Sequence, residues 1–217
     1  MSDQTIAAPP SGAASTTTLH PGVAVQYAVH AAVRRDMDRL VGSLGTHAAP
    51  DAAVLGYAEE FLFQLHHHHT FEDDAVWPLM RERLGDMTDL LDRNLAEHAD
   101  VVASVEDFAA EVQHLDGDRD PARAAAVRMR EVVSLHLAHE EADVIPFVPQ
   151  AFTLDDVARF QALSAEENPP SRFLPWVLES APPPIAAGFA AVLPAPVQQA
   201  LTDTWMPAWQ AKVDALG

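Results

Sequence analysis

The sequence predicts an all-α protein, and three observations support this prediction. Apolar residues recur at the spacing of a helix face in four long segments between residues 21 and 149. Short breaks rich in Gly, Pro and Asp separate these segments. No segment alternates apolar and polar residues in the manner of a half-buried strand. Four helices joined by short loops favour an up-down-up-down antiparallel four-helix bundle, which a C-terminal helical extension follows.

Each predicted helix presents one apolar stripe. The helices span about 21–44, 51–83, 87–115 and 121–149. In chain order, their stripes contain Val23, Tyr27, Val33, Met37 and Leu40; Val54, Ala58, Phe61, Leu65, Val76 and Leu79; Leu91, Leu95, Val102, Val105 and Val112; and Met129, Val132, Val133, Val144 and Phe147. Stripes of this kind bury against one another in a shared core.

The composition divides the chain into three parts. Residues 1–18 are rich in Ala, Pro, Ser and Thr without periodicity, which predicts a disordered leader. Residues 19–150 form the predicted bundle. Residues 151–217 hold nine of the 17 prolines and three of the four tryptophans, and a helix start is expected at Thr153 and another helix within 194–215. This extension is expected to pack on the bundle, either to bury area or to cover one end of it.

Charge and cysteine content exclude several classes of function. Thirteen Lys and Arg residues against 32 Asp and Glu residues give a net charge of -19, without a basic stripe that could follow a nucleic acid or an anionic membrane. Because there is no cysteine, thiolate catalysis, iron-sulfur clusters and Cys-ligated zinc are excluded. The N-terminal segment lacks the pattern of a signal peptide and no apolar run reaches about 20 residues, so a cytoplasmic location is expected.

Histidine is unusually frequent, with eleven in the chain. Each apolar stripe is interrupted by one histidine, and in the second and fourth stripes a glutamate follows four residues later. Residues i and i+4 lie on one helix face about 6 Å apart, so each such pair can direct a nitrogen and a carboxylate at one point. This is a spacing typical of metal ligands. The six candidate ligands are His30, His68, Glu72, His98, His136 and Glu140.

The same pattern occurs twice along the chain. Thirty-eight residues separate His30 from His68, and 38 separate His98 from His136. Past the glutamates, an acidic residue, a Val and a Pro stand at matching positions in both halves. A repeated helix pair predicts a pseudo-twofold bundle in which three ligands from each half meet. Three plus three donors predict a two-metal site.

A single histidine on an apolar stripe is more often a hydrogen-bonded core residue than a ligand. Four imidazoles and two carboxylates in one core differ from this case, because burying charges without a cation costs several kcal/mol each, against a net stability of about 5–15 kcal/mol. Nitrogen and oxygen donors without sulfur suit iron, manganese or zinc. Two bridging carboxylates favour a redox-active pair of ions.

The segments around these residues resemble the metal-binding helices of the hemerythrin-like HHE cation-binding family, in the same order. They read YAVHAAVRRDMDRL, LHHHHTFEDDAVWPLM, NLAEHADVV and LHLAHEEADVIPFV. The resemblance covers about 21–150 and implies a four-helix bundle around two iron ions with oxo or hydroxo and carboxylate bridges. It implies that Glu72 and Glu140 bridge the ions and that the terminal ligands are His30, His68, His98 and His136.

The sequence departs from the oxygen-carrying members of that family. On the third helix those proteins have two histidines four residues apart, whereas here Asn94 precedes His98 and Val102 follows it at that spacing. The fourth helix has Glu140 where the oxygen carriers have an aspartate one position further on. A missing imidazole leaves an additional open metal position, which favours reaction over reversible oxygen carriage.

Other polar residues are expected around the ligands. His69 follows His68 directly and therefore points about 100° away from it around the helix, which predicts a position behind the ligands or at the surface. Asp73 and Glu141 are expected either to orient ligand imidazoles by hydrogen bonds or to be solvated. The interpretation given for His69 also applies to His66, His67 and His139.

Three functions are compatible with such a site. The first is a non-haem di-iron protein that binds and reacts with dioxygen, peroxide or nitric oxide, with peroxide disproportionation as the expected activity. The second is a di-iron oxidase or oxygenase for a small organic substrate, with residues 151–217 forming part of the pocket. The third is a non-enzymatic iron or oxygen sensor. The substitution of manganese or zinc for iron, and the oligomeric state, stay open.

Overall fold

The structure, a computed structural model, describes residues 19–46, 48–115 and 117–217. The leader predicted for residues 1–18 lies outside this range. The described residues are mostly helical and contain no β-strand, which confirms the all-α class. In this part of the chain, no helix is both long enough and apolar enough to cross a membrane.

The long helices lie close to their predicted positions. They are α1 (Pro21–Thr46), α2 (Asp51–Phe71), α3 (Trp77–Arg83), α4 (Thr88–Val112) and α5 (Asp120–Asp143). A π-helical turn, Glu72–Val76, joins α2 to α3 without a break, so the two correspond to the single second helix that the sequence predicts. Pro78 has no N–H to donate to the carbonyl four residues earlier, and the regular hydrogen-bond pattern is therefore interrupted near this turn.

The fourth predicted helix, 121–149, is divided in the structure. The α5 helix ends at Asp143, a 3-10 turn occupies Ile145–Phe147, and α6 covers Val148–Ala151. Pro146 and Pro149 both lack an N–H, so an α-helical hydrogen-bond pattern cannot run through this segment unbroken.

Four helical segments close into a ring. The α1 helix packs against α2 and α5, and α4 packs against the same two helices. This order is compatible with the predicted up-down-up-down bundle. The ring has two buried apolar clusters, one containing Met37 and Phe61 and the other containing Trp77 and Leu91. On α2, α4 and α5, a polar layer formed by the candidate ligands lies between residues of these two clusters.

The extension consists of short helices that pack on one side of the ring. They are α7 (Leu154–Glu167), α8 (Pro170–Leu178), α9 (Pro183–Val192), α10 (Ala195–Ala200) and α11 (Met206–Asp214). The predicted helix start at Thr153 is confirmed, because Thr153 and Asp156 exchange the two hydrogen bonds of a capping box. Trp176 is buried and donates Nε1–H to Asp36 Oδ2 at 2.7 Å, which joins α8 to α1. The division of the chain into separate domains stays a prediction.

Candidate metal centre

The six residues predicted from the His and Glu pattern lie together in the polar layer of the ring. His30 is on α1, His68 on α2 and His98 on α4, while Glu72 begins the π-helical turn and α5 supplies the other two. All six side chains are shielded from water, and His68, the most exposed of them, has an exposed fraction of only 8%. Their role as ligands stays a prediction, but the fold brings all of them to one place.

The donor atoms at this place form three groups of three residues. One group, His68, His69 and Glu72, takes one histidine from each of the other two, and those two share no residue. They are the three-histidine group, His69, His98 and His136, and the mixed group, His30, His68 and Glu140. Within each group, one donor atom per residue lies within 4.8 Å of the others. Three protein donors are the number that an open metal site uses, so each of the two groups that share no residue can hold one cation.

Each glutamate approaches histidines of both of these groups. Glu140 Oε2 is 3.3 Å from Nε2 of His30, in the mixed group, and 3.8 Å from Nε2 of His136, in the three-histidine group. Glu72 also approaches one histidine of each group. Its Oε1 is 3.5 Å from Nδ1 of His68, and its Oε2 is 3.9 Å from Nε2 of His98. Glu72 directs a different oxygen at each group, whereas Glu140, itself a member of the mixed group, approaches both histidines with Oε2. Each carboxylate is therefore within reach of both groups.

His69 lies inside the cluster, in contrast to the expectation from the sequence. It is buried, and its ring centroid is 4.6 Å from that of His98 and 5.1 Å from that of His136. The angle of about 100° between His69 and His68 around the helix does not by itself show which of the two faces the centre. Measured around the helix from Glu72, His68 is offset by about 40° in one direction and His69 by about 60° in the other, so both face the centre.

The cluster therefore contains five imidazoles rather than four. Val102, one of the two positions at which the oxygen carriers have a further histidine, has an exposed fraction of 48% and does not face the centre. Asn94, the other position, is buried. His69 on α2 thus brings to the cluster a further imidazole that the prediction of an additional open metal position did not count.

The atoms that face into the cluster have no hydrogen-bond partner among the described residues. This applies to Nε2 of all five histidines, to Oε2 of Glu72 and to both carboxylate oxygens of Glu140. Buried polar atoms in proteins are nearly always paired, and leaving this number unpaired costs several kcal/mol. Cations bound by these atoms remove the penalty, so the residues present fit a metal centre.

Carboxylates behind the imidazoles determine which ring nitrogen carries the proton. His30 Nδ1 is 2.9 Å from Glu141 Oε1, and His98 Nδ1 is 2.7 Å from Asp73 Oδ1. Because an ionised carboxylate only accepts hydrogen bonds, each Nδ1 donates and each Nε2 keeps its lone pair for a cation. Asp73 and Glu141 thus occupy the orienting positions that were one of the two alternatives considered for them.

Two residues that contact the cluster were missed in the sequence. Glu97 on α4 accepts hydrogen bonds from His136 Nδ1 at 3.2 Å and from His139 Nδ1 at 2.8 Å. Gln26 on α1 donates Nε2–H to Glu72 Oε1 at 2.7 Å. Both act across a helix interface, which spacing along one helix does not reveal. The only available signal was that Gln26 lies one helical turn before the α1 ligand.

The remaining histidines of the α2 run, and the second histidine of α5, lie away from the cation positions. His139 has a side chain that is 46% exposed, and His66 is exposed as well. His67 stacks between Phe63 and Phe71, at ring-centroid distances of 6.0 and 6.1 Å. These placements match the position behind the ligands or at the surface that was expected for all three.

Burial controls the protonation of the centre. It lowers the pKa of His68 and His69 well below the ordinary value, and the neighbouring imidazoles lower it further. Burial and the Glu140 carboxylate raise the pKa of Glu72 well above its ordinary value. Burial also opposes the ionisation of Glu140, but His30 beside it outweighs this effect and lowers the pKa to about 2. His68 and His69 can therefore bind a cation without first losing a proton. Despite burial, Glu140 and Glu141 raise the pKa of His30, so His30 and Glu72 release protons when a cation binds.

A ring of helices around five imidazoles and two carboxylates with free donor atoms defines a helical cation-binding protein. Comparison with protein-family models identifies the family: the hemerythrin HHE cation-binding domain matches residues 22–148. The match covers more than half of the chain, and the chain belongs to this family. The matched region ends before α7, so the extension lies outside it. Comparisons with curated proteins and with solved structures gave no match.

Proposed function

We propose that the chain binds two iron ions in the polar layer and reacts with dioxygen, hydrogen peroxide or nitric oxide, with peroxide removal as its main activity. The observation that supports this proposal is that Glu72 and Glu140 each approach a histidine of both donor groups that share no residue, at distances of 3.3–3.9 Å. In this proposal the two glutamates bridge the ions, together with an oxo or hydroxo group. His30, His68, His69, His98 and His136 are the terminal ligands.

Iron is favoured by the donor set together with the family. The layer offers imidazole and carboxylate without sulfur, which suits iron, manganese or zinc. Five nitrogens and four carboxylate oxygens are fewer than the roughly twelve positions of two six-coordinate ions, so a small molecule has room to bind. A pair of iron ions, when bound, supplies the electrons that the reduction of peroxide or dioxygen requires. Disproportionation of two peroxide molecules to water and dioxygen needs no other reductant.

The protein's own residues orient the ligands and exclude water. Glu141 and Asp73 hold two imidazoles with Nε2 towards the ions, and Gln26 holds one oxygen of Glu72. The two apolar clusters on either side of the layer exclude water from it. His68 and Glu72 also line a cavity beside the ring, which gives a small molecule access to the centre. Because a small molecule can reach the centre through this cavity, we favour reaction with it over storage of oxygen.

The test combines a metal count with optical spectra of the iron-loaded, anaerobically reduced protein before and after dioxygen and then peroxide are added. We expect two irons per chain, and absorption bands that bleach as peroxide is consumed. Glu72→Ala and Glu140→Ala should each reduce the iron content, whereas Glu59→Ala, at an exposed position on α2, should not. Unchanged iron in both ligand variants would refute the site. A stable oxygenated spectrum that reverses under vacuum would indicate oxygen carriage instead.

A second candidate is the oxidation of a small organic molecule by the same ions. The cavity favours it, because the extension supplies much of the wall opposite His68 and Glu72. The two candidates differ in what consumes the oxidant. Rapid peroxide loss with oxygen release in the protein alone supports the first, whereas oxidant consumption that requires an added organic molecule supports the second.

A further inference from the structure

A cavity of about 510 Å³ lies between the ring and the extension. On the side of the bundle it is lined by residues that include Val25 on α1, His68 on α2 and Glu72 in the π-helical turn. On the opposite side the lining includes Phe160 on α7 and Leu193 between α9 and α10. The volume falls within the range of roughly 300–1,000 Å³ that small-molecule sites occupy. The cavity is therefore large enough for an organic molecule and not only for a diatomic gas.

The lining restricts the charge of an occupant. Most of the residues are aliphatic or aromatic, and there is no Lys or Arg among the described residues that line the cavity. An anion would lose its hydration here without gaining a partner, so an uncharged and mostly apolar molecule fits best.

One polar group of the lining lacks a partner. Asn168, at the end of α7, has an exposed fraction of only 3%, and its Oδ1 forms no hydrogen bond within the described structure. Its Nδ2 donates to Gln64 Oε1 at 2.7 Å. A free buried acceptor at the wall of an apolar cavity is a site for a ligand that donates a hydrogen bond.

The neighbouring residues determine the orientation of this amide. Gln64 Nε2 donates to Glu60 Oε1 at 3.1 Å, and Arg172 and Lys212 pair with the same carboxylate. Burial alone would raise the pKa of Glu60, but the hydrogen bonds from Arg172 and Gln64 lower it below its ordinary value, so the group is an acceptor only. Gln64 must therefore direct its NH₂ to Glu60 and its oxygen to Asn168, which leaves Asn168 Oδ1 as the free atom.

We infer that this cavity binds an uncharged, mostly apolar organic molecule that carries a hydroxyl or N–H group, with Asn168 Oδ1 accepting its hydrogen bond. Binding itself depends only on the cavity. The further consequence, that the bound molecule lies against His68 and Glu72 and so meets the ions, rests on the proposed function.

Three probes of similar size test separately whether binding requires a hydrogen-bond donor and whether it excludes a negative charge. 1-Octanol has the donor, 1-methoxyheptane has the same length without it, and octanoate carries a negative charge. Isothermal titration calorimetry on the iron-loaded, anaerobically reduced protein should show octanol binding at least tenfold more tightly than the other two. Equal binding of octanol and the ether, or no octanol binding up to its solubility, would overturn the inference.

Variants locate the binding site. Ala165→Trp, on the cavity wall, should abolish octanol binding, whereas Ala162→Trp, exposed on the same helix, should leave it unchanged. Asn168→Leu should remove the preference for octanol over the ether. Octanol binding that persists in Ala165→Trp would place the site elsewhere. Because heat of binding is independent of iron chemistry, octanol binding to a protein that leaves peroxide intact would refute the proposed function and spare this inference.

Discussion

The two halves of the internal repeat share a ligand pattern but have different surroundings. The first half, α1 with α2 and α3, is joined to the extension, and every side-chain hydrogen bond between residues 151–217 and the rest of the described structure ends on these three helices. The second half, α4 with α5, is linked internally through Glu97, which accepts hydrogen bonds from His136 and His139. Equal spacing in the sequence therefore does not give equal environments.

The two glutamates show what this difference means for the centre. Glu72, in the first half, lines the cavity, and burial together with the nearby carboxylate raises its pKa. Glu140, in the second half, pairs with His30, and its pKa is lowered to about 2 despite burial. The repeat supplies donors symmetrically, while the cavity beside the extension is lined by candidate ligands of the first half, His68 and Glu72.

Removal of iron tests whether both halves depend on the same ions, and it has the largest expected effect. Without cations the free donor atoms of both halves stay unpaired, so the free energy of unfolding should fall by several kcal/mol and the Tm by roughly 10 °C. Urea unfolding and calorimetry of iron-loaded and chelator-treated protein measure this change. Adding iron back should reverse it. Equal stability with and without iron would argue against a shared centre.

Amide substitutions in the iron-free protein test the difference between the two glutamates. Despite burial, Glu140 raises the pKa of His30 in the iron-free protein, so Glu140→Gln removes the carboxylate that stabilises the protonated imidazole and should cost about 3–5 kcal/mol at pH 7. Glu72→Gln replaces a carboxyl whose ionisation is already disfavoured by burial and should cost less. The measurement is urea unfolding of both variants and wild type. Equal costs would show that the two halves do not differ.

The lowered pKa of Glu140 makes the folding stability depend on pH in one direction. Folding lowers the pKa of Glu140 from 4.5 to about 2, so its stabilising contribution is present above pH 4.5 and is lost as the pH falls from 4.5 towards 2. The difference in stability between wild type and Glu140→Gln should therefore narrow over this interval. A difference that stays constant down to pH 2 would contradict the ion pair.

Spacing along single helices predicts the all-α class and the six candidate ligands, because a 3.6-residue period maps directly onto one helix face. Contacts between helices have no such period, which is why Gln26 and Glu97 were missed. His69 was misplaced because its angle was measured from His68, whereas Glu72 is the residue that defines the direction of the centre. The cavity depends on how α7 to α10 dock on α1 and α2, and no local pattern encodes that docking.

His69→Ala tests the revised ligand set. If His69 binds an ion in the three-histidine group, its removal should weaken the affinity for one of two irons by about 100-fold or more, since outer partners alone account for about 10–100-fold. His66→Ala, three residues earlier and exposed, is the control and should leave both irons in place. Iron titration monitored by absorption measures both variants. If the His69→Ala and His66→Ala variants give identical iron titrations, His69 is not a ligand.

Trp176→Phe tests the attachment of the extension to the first half and has the smallest expected effect. The substitution removes the Nε1–H that donates to Asp36 Oδ2, while the other hydrogen bonds to Asp36, from Arg35 and Tyr57, go to Oδ1. A buried carboxylate oxygen that loses its only donor should cost about 1–2 kcal/mol, measured by urea unfolding of the iron-loaded protein. Trp205→Phe, at a half-buried position outside this network, should cost less. If both variants lose the same stability, the area buried by the tryptophan rings, and not the hydrogen bond from Trp176 to Asp36, attaches the extension to the first half.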